Sequence, residues 1–285
     1  MPAEPLSAAV VEHLVAAALD EDRAVEDAAT LAVVPADLRG VATFLAKAHG
    51  VLAGMPFAAA AFRTIDAGVA LDSRVPEGAP FTSGDVLATA AGPVRALLQA
   101  ERVALNFLQR LSGIATLTRS FVEEVQGTSA VILDTRKTTP LLRDAEKYAV
   151  RCGGGTNHRR DLAVMAMLKD NHLAAIARRG GSIRDAVAAV RARSPGIPVE
   201  VEIDDLGQLD AALAASPEWI LLDNMPPAEM REAVRLAAGR ARLEASGGVG
   251  LATVRAIAET GVDAISVGAL THSAPSLDIS LELAL

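Results

Sequence analysis

Six short apolar runs recur along the second half of the chain, and they leave few folds open. They are AVILDT (130–135), VMAMLKD (164–170), VEVEID (199–204), WILLDN (219–224), ARLEAS (241–246) and AISVGA (264–269). The last four start 20–23 residues apart, and helical patterns fill 183–193, 206–215, 227–238 and 250–260. Strand, helix, strand at that period indicates βα units and a parallel sheet. No dinucleotide fingerprint follows the first run, which weakens a Rossmann reading. About six βα units within 130–270 predict a complete or open α/β barrel.

Residues 1 to about 105 have a different texture. An amphipathic helix is expected near 6–19, followed by alternating segments with turns at Gly40, Gly50, Gly54 and Gly68. The stretch VPEGAPFTSGDVLATAAGPV (75–94) has the punctuation of a β-hairpin and resembles the hammerhead of biotinyl and lipoyl carriers. No lysine stands at its turn to be modified, so the carrier reading fails. Helical spacing over 93–126 predicts two helices broken near Ser112-Gly113.

Composition removes whole classes of function. The apolar fraction of 51% in 285 residues supports a sizeable core. A net charge of −8 argues against general nucleic-acid binding, and 3% aromatics against base-stacking readers. The single cysteine, Cys152, excludes an internal disulfide framework and reads as a small buried residue. No apolar run reaches a membrane span, and no basic region precedes the first apolar stretch as in a signal peptide. A cytoplasmic globular protein is expected. Within this acidic chain, residues 134–172 carry eight Lys or Arg against five Asp or Glu. Three of its four lysines lie there.

Polar residues stand at or just past the C-terminal end of each run, the face of an α/β barrel where chemistry collects. Asp134-Thr-Arg-Lys-Thr-Thr-Pro places Arg136 and Lys137 side by side, a fork and a point charge for carboxylate or phosphate. A solvated loop paired with Asp134 would use the same residues. Arg151-Cys-Gly-Gly-Gly-Thr-Asn-His-Arg-Arg adds His158 and Arg159 after three glycines, as a ligand loop or a flexible connector. Lys169 ends an apolar run before Asp-Asn-His, and serves as an anion ligand, an imine-forming nucleophile or half of an ion pair. Glu202 and Asp223 end successive runs, and Glu200 shares the face of Glu202. Carboxylates there hold Mg²⁺ through water, bind sugar hydroxyls or stabilise a developing cation. Ser246-Gly-Gly and Val267-Gly-Ala-Leu-Thr-His-Ser follow the last two runs, where α/β barrels bind phosphate. No metal-ligand spacing suggests zinc. A phosphate cradle, a cation cluster and two carboxylates converge on one face. Together they match a substrate with a 5′-phosphate, a sugar and magnesium-bound diphosphate, beside a second, multiply anionic partner.

The blocks DTRKTTPLLRDAEKYAVRCGGGTNHRRDL, MLKDNHL, VEVEIDDLGQLDAAL, ILLDNMPP, LEASGGVGL and VDAISVGALTHSAPSLDISLEL resemble, in order, the quinolinate phosphoribosyltransferases. The resemblance runs from about residue 97 to the C-terminus and more loosely over the N-terminal third. It implies an N-terminal α/β sandwich (1–110, completed by 274–285) and an open α/β barrel of parallel strands (111–273). It implies transfer of phosphoribosyl from phosphoribosyl diphosphate to quinolinate with loss of CO₂, assisted by Mg²⁺. It further implies that Arg136, His158, Arg159 and Lys169 hold quinolinate, joined by Arg102 from the neighbour in a dimer. Lys137, Glu202 and Asp223 would be catalytic and face the phosphoribosyl diphosphate, with Asn171 and His172 as further contacts. Ser246, Gly247, Gly248, Gly268 and His272 would take the 5′-phosphate. Glu202 and Asp223 would hold the metal.

The family's glycine-bearing segment near 20–30 reads here LDEDRAVEDAATLAVVP, without its glycines, so that loop is expected to differ. A relative of the same fold, the ModD-type protein of molybdate-transport gene clusters, shares many of these motifs. An imine-forming aldolase and a ligand-binding homologue without chemistry are the other readings.

Overall fold

A computed structural model describes residues 6–285, so the first five residues of the expected N-terminal domain lie outside it. The helices are α1 (Ala8–Glu21), α2 (Ala28–Val33), α3 (Met55–Ile65), α4 (Val94–Glu124), α5 (Arg143–Cys152), α6 (Asp170–Ala177), α7 (Ile183–Arg193), α8 (Leu209–Ala214), α9 (Pro227–Ala237), α10 (Leu251–Ala258) and α11 (Ala269–His272). The strands are β1 (Arg39–Ala46), β2 (Gly50–Val51), β3 (Ala70–Ser73), β4 (Pro80–Phe81), β5 (Val86–Pro93), β6 (Val131–Leu133), β7 (Ala166–Leu168), β8 (Val199–Ile203), β9 (Trp219–Asp223), β10 (Arg242–Ser246), β11 (Ala264–Ser266) and β12 (Ile279–Ala284). Contacts divide the chain into two compact units. One comprises residues up to Arg119, Thr138–Gly154 and Leu270–Leu285; the other comprises Ser120–Lys137 and Gly155–Ala269.

The first unit is built on an antiparallel sheet of order β12-β1-β5-β3. Alternation along β1 buries Ala42, Phe44 and Ala46 on one face. Phe44 meets Phe62 of α3 edge to face, with ring centroids 5.9 Å apart. Helix α1 adds Val11, Val15 and Leu19 at a four-residue spacing. The C-terminal strand pairs with β1 over Val41–Ala46, so the end of the chain completes the N-terminal sheet.

Two local expectations give way here. The 75–94 segment makes no hairpin: β4 pairs with β2, while β5 pairs with β1 and β3. Thr82 and Asp85 close the turn between them, but the strands on either side enter different sheets. No break occurs at Ser112-Gly113, since α4 is continuous. An added Cβ on Gly113 would lie 2.0 Å from the Pro275 carbonyl oxygen, so that glycine admits a close backbone approach. Ser112 bonds the Ala53 amide and carbonyl instead of ending the helix. In the 20–30 loop, Arg23 adopts φ of 50°, a left-handed conformation that glycine adopts without strain. Asp27 then caps α2 through the Ala29 and Thr30 amides.

Cys152 is 3% exposed, and burial, with the Glu77 carboxylate beside it, pushes its thiol up to about 12. Among the described residues no helix is long and apolar enough to cross a membrane.

The second unit holds the six expected runs as one parallel sheet of order β6-β11-β10-β9-β8-β7. This is chain order read around a ring, with the first strand beside the last and no ladder between β6 and β7. Such an order is that of a barrel left open at one seam. The strands are near-continuously apolar (Val199, Val201, Ile203, Ile220, Leu222, Leu243, Ala245 and Ile265 are buried), as parallel strands covered on both faces must be.

Candidate active site

A cavity of about 610 Å³ opens at the C-terminal ends of these strands. Residues from or just after all six strands line it, which requires the sheet to curl. Arg136 and Lys137 follow β6, and His158 and Arg159 come from the loop before β7. Lys169 follows β7, Glu202 is the penultimate residue of β8, Asp223 ends β9, Ser246 ends β10, and Gly247 and Gly248 follow it. The structure thus brings ten of the expected residues to one cavity.

The remaining five stand elsewhere. Asn171 and His172 occupy the exposed first turn of α6, where His172 Nδ1 accepts the Lys169 amide at 3.0 Å. Gly268 lies between β11 and α11 and is not among the lining residues. His272, at the end of α11, and Arg102, exposed on α4, belong to the first unit.

Local chemistry explains how the cations are held. Asp134, fully buried at the end of β6, accepts from Asn157 Nδ2 at 2.6 Å and from the His158 amide at 2.8 Å. One carboxylate thereby fastens the Gly-rich loop to the first strand. Arg159 donates to the Met165 carbonyl at 3.0 Å. Lys169 is ion-paired to Glu202, and its side chain is half exposed. Arg136 differs: its Nε is buried with no hydrogen-bond partner. A buried, unsatisfied guanidinium donor in a cavity wall calls for an anionic acceptor.

Gly247 and Gly248 both have positive φ, 97° and 62°. A Cβ on Gly247 would lie 2.2 Å from Asn224 Oδ1, so only glycine fits that turn. The turn leads through Gly250 into the N-terminus of α10, whose first amides favour an anion.

Sequence reasoning missed Glu244 and Ser266, which also line the cavity. The available signal was a charge in the middle of the apolar run ARLEAS. Glu244 and Glu200, 1% and 0% exposed, flank His158 Nε2 at 3.1 and 3.3 Å. Burial lowers the His158 pKa, but the two carboxylates outweigh it and pull the pKa up. The Arg159 amide donates to Nδ1 at 2.7 Å, so the hydrogen of the neutral ring sits on Nε2, facing the two carboxylates. Burial first, and then Glu244, raise Glu200 to about 7. A carboxyl whose pKa is 4.5 unfolded and about 7 folded binds more protons in the folded state. Stability should therefore fall as pH rises from about 4.5 through 7. Thermal unfolding at pH 5 and pH 8 checks this, and Glu200→Gln should flatten the difference.

The chain matches the C-terminal domain model of quinolinate phosphoribosyl transferase over residues 114–282 and the N-terminal domain model over 27–112. It belongs to the quinolinate phosphoribosyl transferase family. Nicotinate-nucleotide pyrophosphorylase (carboxylating) of Mycobacterium leprae is 46% identical over 265 residues, covering 90% of this chain and 91% of that one. The probable enzyme of the same name from Bacillus subtilis is 44% identical over 245 residues, covering 86% and 83%. The crystal structure of NadC from Streptococcus pyogenes superposes with a TM-score of 0.94 at 42% identity, covering 99% of each chain. That of the Francisella tularensis nicotinate-nucleotide pyrophosphorylase gives 0.92 at 34% identity, covering 100% and 99%. The chain is accordingly an enzyme of the phosphoribosyltransferase class.

Proposed function

We infer that this chain transfers phosphoribosyl from phosphoribosyl diphosphate to the ring nitrogen of quinolinate, with decarboxylation. The observation that carries this reading is the buried, unpartnered Nε of Arg136 in a wall shared with Arg159 and Lys169. A dicarboxylate requires several fixed cations, and a guanidinium fork suits a carboxylate. Arg136, Arg159 and Lys169 hold quinolinate, with His158 beside them and Arg102 supplied by the neighbouring subunit of a dimer.

In the reaction the C1–O bond to diphosphate breaks as the N–C1 bond forms. The sugar is cation-like at C1 in the transition state, and Glu202 and Asp223 stabilise that charge. Lys137 neutralises the leaving diphosphate. The ribosylated ring nitrogen then draws electrons, the C2–carboxylate bond breaks, and CO₂ leaves its electron pair on C2, which takes a proton. The products are nicotinate mononucleotide, diphosphate and CO₂, a step of NAD synthesis. The turn at Ser246, Gly247 and Gly248 takes the 5′-phosphate, with Gly268 in support, and Asn171 and His172 are outer contacts.

Magnesium suits this donor set through water. Glu202 and Asp223 offer hard carboxylate oxygens, but Glu202 already pairs with Lys169, so they do not form an all-protein cage. When bound, magnesium supplies charge neutralisation at the phosphates.

The deciding assay incubates the full-length protein with quinolinate, phosphoribosyl diphosphate and Mg²⁺. CO₂ and diphosphate should appear together in equal amounts; folded protein that releases neither refutes the reading. Gly247→Ala should raise the KM for phosphoribosyl diphosphate and lower stability by about 1–3 kcal/mol, from the strained φ and the contact with Asn224. Steady-state kinetics and thermal unfolding check both effects.

A further inference from the structure

His158 lines the cavity, yet its ring has nothing left to offer a substrate. Its Nδ1 accepts the Arg159 amide at 2.7 Å, so the lone pair on that nitrogen is used. The ring hydrogen therefore sits on Nε2, which faces Glu244 Oε2 at 3.1 Å and Glu200 Oε2 at 3.3 Å. The side chain is 8% exposed. Behind it, Ser266 Oγ donates to the other oxygen of Glu244. Both Glu200 oxygens are buried without a conventional hydrogen bond, so this carboxyl sits in a dry site with the imidazole as its polar neighbour.

The three ligand-type atoms lie within 4.8 Å of one another, close enough for a metal ion. The tautomer excludes that use. A metal on Nε2 requires that nitrogen's lone pair and a hydrogen on Nδ1, and here an amide hydrogen already points at Nδ1. The cluster is a hydrogen-bonded post.

We propose that Glu200 and Glu244 are positioning residues for the cationic wall. They hold His158 as the Nε2–H tautomer and thereby turn Nδ1 onto the Arg159 amide. That bond, with Asp134 on the His158 amide, fixes the backbone from which the Arg159 guanidinium reaches the dicarboxylate. His158 acts through Arg159 instead of touching quinolinate. This assignment rests on the quinolinate reading above.

Two measurements test it. The first is the side-chain nitrogen spectrum of the histidine-labelled full-length protein at pH 10, above the raised His158 pKa of about 9, with His158 assigned by its loss in His158→Gln. The neutral Nε2–H form is expected; a protonated Nδ1 overturns the proposal. It needs no turnover, so it decides the tautomer even if the reaction reading fails. The second compares Glu244→Ala and Glu200→Ala with the corresponding Gln variants. The Ala variants should raise the quinolinate KM about tenfold or more, because a small misdirection of a binding group is costly. The KM for phosphoribosyl diphosphate and kcat should stay within about threefold, as the phosphate turn is untouched. Gln at position 244, which still accepts from Nε2–H, should restore most of the loss. Equal loss for both substrates, a lowered melting temperature with an unchanged quinolinate KM, or Gln behaving like Ala would overturn the role. Wild-type protein without quinolinate turnover would instead refute the reaction.

Discussion

Arg136→Ala should lower kcat/KM for quinolinate by roughly 10²–10³-fold, the loss of a charge-assisted pair of hydrogen bonds worth about 3–4 kcal/mol. The KM for phosphoribosyl diphosphate should move far less. The reason is the state of this guanidinium in the fold. Its Nε is buried and has no hydrogen-bond partner, so its desolvation is offset only when an anion arrives. Lys169, by contrast, already has Glu202, and its truncation also releases that carboxylate into the cavity. Arg136→Ala is therefore the cleaner probe of dicarboxylate binding. Arg136→Lys should recover little, since an ammonium cannot present the fork. Separate titrations of the two substrates check the asymmetry; equal losses would mean that Arg136 serves the whole cavity and not one ligand.

The second large effect concerns Arg102. It is exposed on α4, in the first unit, while the cavity belongs to the second. If a neighbouring subunit supplies it, Arg102→Ala and Lys169→Ala proteins should each lose most activity, and their mixture should recover it. Random exchange of dimers makes half of them hybrids with one intact site, so roughly a quarter of the wild-type sites should return. Activity measured before and after confirmed subunit exchange checks this. Exchange without recovery would mean that Arg102 acts in its own chain or not at all.

The ring of βα units was legible because each strand of a two-sided sheet must be apolar along most of its length. All six runs became strands, and helices formed at 183–193 and 227–237 as their periodicity demands. The ends of the runs were legible for the same reason: a charge can follow a buried strand only where the strand leaves the core. Hence Arg136, Lys169, Glu202 and Asp223 were found as a group without a structure. The N-terminal strands were not legible in their pairing. β4 and β5 are separated by a turn that suits a hairpin, yet long-range partners claim both. Gly113 reads as a helix break in isolation and serves as a contact for the Pro275 backbone in the fold.

The sequence by itself determined the repeating apolar period, the parallel sheet and the set of charges at its ends, because local pattern and burial dictate them. Only the tertiary structure decided what those charges do to one another. Glu200 and Glu202 are two residues apart on one strand, yet one is fully buried against His158 and the other pairs with Lys169 at the cavity. Glu244 was hidden in an apolar run, and its role depends on Ser266 and His158, which arrive from distant parts of the chain. The physical reason is that hydrogen bonding and desolvation act over a few ångströms in space, and the curl of the sheet alone sets those distances.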